Sequence, residues 1–171
     1  MSDVRIPDEL RPLCRPLSFI KPNPSNANRH PPSQIDALVA SFTEFGVDQP
    51  VITNAKGVLI AGHGRLEAAR ALGMTEYPVV VNDLSSLDAT RRMIGDNRLS
   101  QLAEPDTEAL GELLRQLQAE DALVGTGYDD GAVDSLLAEI APDIEFKEYD
   151  ENVEKDVKYC TCPACGHKFP A

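Results

Sequence analysis

The chain has 171 residues, 28 acidic against 16 basic side chains for a net charge of −12, four cysteines, few aromatics and no tryptophan. That length buries one good core with a small appendage. The charge argues against simple non-specific DNA binding, which rests on Lys and Arg neutralising phosphates, and the few aromatics supply little base stacking.

Taken in chain order, Met1–Leu17 contains Pro7, Pro12 and Pro16, each disfavouring helix at the residue before it, so an extended arm is expected. A strand around Ser18–Ile20 leads into a loop with Pro22, Pro24, Pro31 and Pro32. Here His30 is expected to be merely solvated. Ser33 is the expected cap of a helix whose apolar positions Ile35, Leu38, Val39, Phe42 and Phe45 have helical spacing, closed by Gly46. Val51–Thr53 and Val58–Ile60 flank Asn54-Ala-Lys-Gly57, a hairpin signal. A helix from Arg65 ends at Gly73, Pro78–Val81 reads as an apolar strand, and Ser86 caps a long helix to about Gln101.

Asp106 then caps a helix with Leu110, Leu113, Leu114 and Leu117 on one face. A Gly125-Thr-Gly-Tyr128 turn precedes another helix carrying Val133, Leu136, Leu137 and Ile140. These leucine stripes predict a helical cap packed on a small sheet. Residues 142–158 are charged and poor in core formers, which predicts a flexible linker. The predicted organisation is a domain over 1–103, an acidic helical extension over 104–141, the linker 142–158 and a Cys-rich tail over 159–171.

The charge is unevenly placed along this layout. Residues 1–103 hold 11 acidic and 11 basic side chains, whereas 104–171 hold 17 acidic and 5 basic. An anion site therefore belongs to the first half. The second half repels DNA unless it is held away or covered by a basic partner.

The most informative stretch is Val58-Leu-Ile-Ala-Gly-His-Gly-Arg-Leu-Glu-Ala-Ala-Arg-Ala-Leu-Gly73, a short apolar strand, a glycine turn and a helix with arginine in its first turn. Gly62 and Gly64 allow positive φ and close approach of backbone to a ligand. Unpaired N–H groups at a helix start and the Arg65 guanidinium both favour a phosphate. His63, flanked by the two glycines, is a candidate general acid/base or phosphate contact, with packing against the turn as the structural alternative.

Around that turn stand Ile20-Lys-Pro-Asn-Pro-Ser-Asn-Ala-Asn-Arg29 and Gly46-Val-Asp-Gln-Pro-Val-Ile-Thr53 upstream, and Tyr77-Pro-Val-Val-Val81 and Asp96-Asn97-Arg98 downstream. In this order and spacing, the segment from about Ser18 to Arg98 resembles the ParB-like (ParB/sulfiredoxin-fold) domain of partition proteins and of many phage and plasmid proteins. The resemblance implies an α+β fold, a small mixed sheet with packed helices, followed here by the acidic helical cap. In the family an N-P-x-x-x-x-R-like loop, a G-[ED]-R-R-type turn and an E-N-x-x-R-like helical motif converge on a nucleoside triphosphate and a divalent cation. The matching residues are Asn23, Pro24 and Arg29; Gly62, His63, Gly64 and Arg65; and Asp96, Asn97 and Arg98. The resemblance thus implies a nucleotide held with a divalent cation, magnesium by the chemistry, with Asp96 as metal ligand; Asp96 and, by its place between the two glycines, His63 are the catalytic candidates.

The chemistry agrees, since arginine suits bidentate phosphate contact and a carboxylate beside an amide oxygen suits a hard cation. Two departures separate this chain from CTP-clamping partition proteins. The turn has His63, Gly64 and one arginine, where those proteins have an acidic residue and two arginines. The third motif is compressed to Asp96-Asn97-Arg98, similar to phage-encoded relatives. Histidine at position 63, where sulfiredoxin needs cysteine, rules out thiol redox chemistry in this turn.

Near the end of the chain, Cys162-Pro-Ala-Cys165-Gly166 is a zinc-knuckle signal, because such a turn aims two thiolates at one tetrahedral ion. It is half of a zinc ribbon. Cys160 and His167 are the expected further ligands, the alternative being that a second copy of the tail or a partner supplies them. Cys14 is too distant in sequence to help.

Two functional readings follow. The first is a nucleotide-binding ParB-like protein of phage or plasmid type acting in DNA partition, processing or modification, with Mg-dependent NTPase or nuclease activity within its reach and a homodimer as one assembly. The second is a non-catalytic adaptor whose acidic helices and Cys tail dock onto a DNA-processing protein, a DNA-modifying or DNA-packaging enzyme. No apolar run approaches the ~20 residues of a membrane span and the N-terminus lacks a signal-peptide pattern, so a cytoplasmic protein without membrane partners is expected.

Overall fold

Two apolar triplets, one six-residue run and a short Cys-Arg-Pro edge strand build the central sheet. Strand β1 (Cys14–Pro16) pairs antiparallel with β4 (Glu76–Val81), β4 runs parallel to β2 (Val51–Thr53), and β2 pairs antiparallel with β3 (Leu59–Ala61), in the order β1-β4-β2-β3. Helices α1 (Pro32–Phe45), α2 (His63–Ala71) and α3 (Ser86–Gln101) follow in sequence, then α4 (Thr107–Ala119), α5 (Asp130–Ile140) and the short strands β5 (Tyr159–Thr161) and β6 (Lys168–Pro170). This computed structural model describes residues 4–140 and 159–170, and the expected linker lies outside the described residues. The chain divides into two units, Met1–Ile140 and Ala141–Ala171.

The main core gathers Ile6, Ile20, Phe42, Val47, Val51, Leu59, Leu66, Ala68, Ala69, Tyr77 and Val79. Tyr77 is completely buried, so its hydroxyl needs a partner, and it donates to the Gln49 carbonyl at 3.2 Å. Burial pushes the phenol well above its usual pKa, which keeps it a neutral donor. Its ring meets Phe42 of α1 at a centroid distance of 6.1 Å. This contact fastens α1 to the central strand pair and so fixes one wall of the site described below.

The hairpin expected around Asn54-Ala-Lys-Gly57 forms. The Asn54 carboxamide oxygen accepts from the Lys56 and Val58 amides, and Gly57 takes φ +79°. The N-terminal arm is not simply extended: a 3-10 turn over Arg11–Leu13 precedes β1. The strand expected at Ser18–Ile20 is instead a second 3-10 turn over Leu17–Phe19. Only Lys21 pairs there, bridging to Val58. Pro16 sets the geometry of this entry, since its fixed φ and missing N–H interrupt any continuous ladder.

Helix caps also sit one or two positions from their expected places. α1 begins at Pro32 with no side-chain cap, proline at the first turn taking the role expected of Ser33. α3 is capped by Ser85, whose Oγ accepts from the Asp88 amide at 3.2 Å and donates to its carboxylate at 2.8 Å. Asp106 caps α4 as expected, accepting from the Ala109 amide at 3.0 Å.

The acidic helices pack on one another more than on the sheet, contrary to the expected cap. Gln118 Nε2 of α4 donates to Asp130 and Asp134 of α5 at 3.1 and 3.3 Å. Gly111 lets the helices close, because a Cβ there would lie 2.6 Å from Ile140 Cδ1. Leu114 and Val133 are buried at this junction, while Leu113 remains exposed. The loop after α4 reaches α1 instead, with Gly125 against the Phe45 ring. No described helix is long and apolar enough to cross a membrane.

Candidate functional site

The strand-to-helix turn between β3 and α2 is built as its glycines suggest. Gly62 is the N-cap of α2 in the left-handed conformation, φ +98° and ψ 32°, and its carbonyl accepts from the Leu66 amide at 3.0 Å. The amides of the first turn therefore have no partner within the helix, leaving a partial positive charge at the turn. Gly64 is buried and close-packed: a Cβ there would approach His30 Nδ1 and Leu38 Cδ1 to 3.2 Å each.

Above the turn lies an open cavity of about 310 Å³. The turn supplies Gly62, His63, Gly64 and Arg65; α3 supplies Asp96, Asn97, Ser100 and Gln101; Asn28, His30, Gln34 and Leu38 close the third side. Small-molecule sites span roughly 300–1,000 Å³, so this one is of ligand size at the lower end. Two of the three expected motifs thus meet in space although about thirty residues separate them in sequence.

The remaining expected ligands lie off the cavity. Arg29 and Arg98 are exposed and do not line it. Asn23 shapes the loop instead: its Oδ1 accepts from the Ser25 amide at 3.0 Å and its Nδ2 contacts Met93 Sδ at 3.6 Å. The Asn23 backbone N–H donates to His63 Nε2 at 3.3 Å, latching the proline-rich loop to the turn. His63 is therefore an acceptor at Nε2, which makes it the neutral tautomer protonated on Nδ1.

His30 is not merely solvated. Its Nδ1 is 3.0 Å from Gln34 Oε1, its Nε2 is buried with no hydrogen-bond partner among the described residues, and it lines the cavity beside His63. The only sequence signal was a histidine just before a helix start. The folding of that loop over the glycine turn is a tertiary fact that spacing does not reveal.

Electrostatics at the turn are set by burial. His63 is lowered below its ordinary value of 6.5, first by desolvation and then by the nearby His30, with Glu67 opposing. The folded chain holds the ring neutral while the unfolded chain takes up a proton near 6.5. As pH falls through that value the unfolded state binds more protons, so stability falls with pH until the folded ring protonates. Melting temperatures measured from about pH 7.5 down to about pH 5 should decline, and more gently in His63→Gln. Superimposable pH profiles for the two proteins would refute this role.

Arg65 is half-buried, and its Nη1 donates to the Pro50 carbonyl at 2.9 Å. One of five guanidinium donors is thereby anchored, and the side chain lines the cavity. Asp96 is the one carboxylate lining the cavity, and its Oδ1 pairs with Arg92 at 2.9 Å. Among the described residues no three His, Cys, Asp or Glu side chains are grouped to hold a metal. A magnesium ion here would draw most of its ligands from a bound phosphate and water, as this ion commonly does.

Among the described residues the tail likewise has no group of three. β5 and β6 form an antiparallel hairpin around the knuckle, closed by Cys162 N–H to the His167 carbonyl and Gly166 N–H to the Cys162 carbonyl, both 2.9 Å. The Ala164 and Cys165 amides, followed by the Cys165 thiol, lower the Cys162 pKa. Cys162 and Cys165 are therefore neighbours, but Cys160 and His167 do not join them in a group of three.

Comparison with known proteins is consistent with this geometry. The family model described as ParB N-terminal domain matches residues 15–98. The ParB-like nuclease domain-containing protein YnaK of Escherichia coli (strain K12) is 42% identical over 74 residues, which cover 43% of this chain and 85% of that protein. The chromosome-partitioning protein Spo0J of Thermus thermophilus is 33% identical over 100 residues, 56% of this chain and 37% of that protein. Among solved structures, C-terminally truncated chromosome-partitioning protein ParB from Caulobacter crescentus, complexed with CTP-gamma-S, aligns with a TM-score of 0.63 at 22% identity, covering 76% of this chain and 79% of that one.

Proposed function

This chain belongs to the ParB N-terminal domain family, whose members include DNA-partitioning proteins, and from that starting point we propose that it binds a nucleoside triphosphate at the Gly62–Arg65 turn, acting in a phage- or plasmid-type system of DNA partition, processing or modification. The observation that carries this reading is the single cavity in which a left-handed glycine N-cap, Arg65, Asp96 and Asn97 come together. Helix-terminal amides and a guanidinium take phosphates, and Asp96 with Asn97 takes the cation that accompanies them. A protein of the same fold has been solved with a CTP analogue, which supports a nucleotide as the ligand class.

Binding is the primary role, and hydrolysis is secondary to it. His63 Nε2 is occupied by the Asn23 amide, so His63 can serve as a base there only once the latch opens. Asp96 is the remaining catalytic candidate, and it is shared with Arg92. Nuclease activity would use the same two groups and needs DNA to reach this face.

The test is a thermal-shift screen of nucleotides with and without magnesium. A ligand at 100 times its dissociation constant stabilises by about 2.7 kcal/mol, readily seen as a melting shift. Triphosphates with magnesium should shift the transition more than the corresponding monophosphates. No shift with any triphosphate would overturn the assignment.

The adaptor reading draws on the charge distribution. Residues 104–141 hold ten acidic side chains and one base, Arg115, so this extension offers no basic surface for DNA. Any DNA binding should rest on the first half and fall steeply with salt. Removing residues 142–171 should strengthen it if the tail screens DNA, and unchanged affinity after that truncation would count against screening.

A further inference from the structure

We propose that the C-terminal knuckle is a half-site, and that two copies of the chain share one zinc ion through Cys162 and Cys165 of each. This inference is independent of the nucleotide reading.

The hairpin over 159–170 has two three-residue strands, and Tyr159 and Phe169 remain exposed. A two-stranded hairpin without a core is marginal in water, so something besides its own packing must order it. The turn is nevertheless well made. Gly166 takes φ +75°, its N–H bonds to the Cys162 carbonyl, and the Cys162 N–H bonds to the His167 carbonyl. The Cys165 thiol hydrogen-bonds Cys162, so two thiols meet at the tip, the arrangement that grips one edge of a tetrahedral ion.

Among the described residues the second edge is missing. Structural zinc sites close with four protein ligands, and no third His, Cys, Asp or Glu joins the pair among the described residues. Cys160 sits within β5 in register with Phe169, and His167 bonds the turn through its backbone. A second knuckle supplies what one lacks: two thiolates at the same separation, with exposed side chains that leave room for approach. Metal binding then orders both tails at once and joins the chains.

The test uses the full chain purified without chelator, with zinc measured by elemental analysis and its ligands by X-ray absorption. The proposal expects close to half a zinc per chain and four sulfurs at about 2.3 Å. Cys160→Ser is the decisive variant. It leaves three cysteines in a chain of four, so a four-sulfur zinc can then form only between chains. Cys162→Ser and Cys165→Ser should each lose the metal while the thermal transition of the main domain is unchanged, which separates loss of the site from failure to fold. One zinc per chain with three or fewer sulfurs would show a local site instead. Either that result or zinc-free protein overturns the proposal.

Discussion

Gly62→Ala should lower the melting temperature by roughly 8–15 °C, more than the other glycine substitutions in open positions. A Cβ at position 62 would lie 2.7 Å from Val51 Cγ1, and Val51 is completely buried in β2, so the neighbour has nowhere to move. The left-handed backbone adds its own penalty. Overpacking of a tight core costs about 1–3 kcal/mol and the left-handed conformation about 1–2 kcal/mol for a residue with a side chain. Gly73→Ala separates the two effects. Gly73 also has positive φ, at +67°, but a Cβ there meets nothing within 4 Å. Its variant should lose only the conformational part. Equal melting temperatures for Gly62→Ala and Gly73→Ala would show that the turn relaxes around the methyl group.

The same glycine explains why this site could be read from sequence at all. A strand, a glycine turn and a helix are local features, and their residues are contiguous. The α+β fold followed from the family resemblance that the turn and the motif order carry. Asp96 and Asn97 were legible for a different reason, as a motif whose meeting with the turn only the fold could realise. What escaped the sequence was tertiary. Asn23 and Arg98 match the family pattern by position, yet Asn23 spends its amide on His63 and its side chain on loop shape, while Arg98 faces solvent. His30 carried no pattern and enters the site only because the proline-rich loop folds back over Gly64. The acidic helices were legible as helices but not in their partners, since a leucine stripe fits another helix as well as a sheet. Gly111, in the middle of α4, marked that helix–helix contact.

Those differences give the arginines distinct expected behaviours. Arg65→Ala should weaken triphosphate binding about 10- to 100-fold, the loss of about 1.5–3 kcal/mol from a hydrogen bond to a charged group. Part of the guanidinium already holds the Pro50 carbonyl at 2.9 Å, so some stability is lost as well, about 1 kcal/mol for an ordinary hydrogen bond. The affinity loss should exceed that, because charge-assisted phosphate contacts are the stronger kind. Arg98→Ala is the matched control. Its side chain is exposed on α3 outside the cavity, so it should bind triphosphate as the parent chain does, although by motif it is an equal candidate. Calorimetric titration of the three proteins with one triphosphate and magnesium decides between geometry and motif. If Arg98→Ala lost as much affinity as Arg65→Ala, α3 would have to turn on binding to bring Arg98 inward. If Arg65→Ala bound as tightly as the parent chain, the phosphate would not sit at the start of α2, and the cavity would have to be assigned to another ligand.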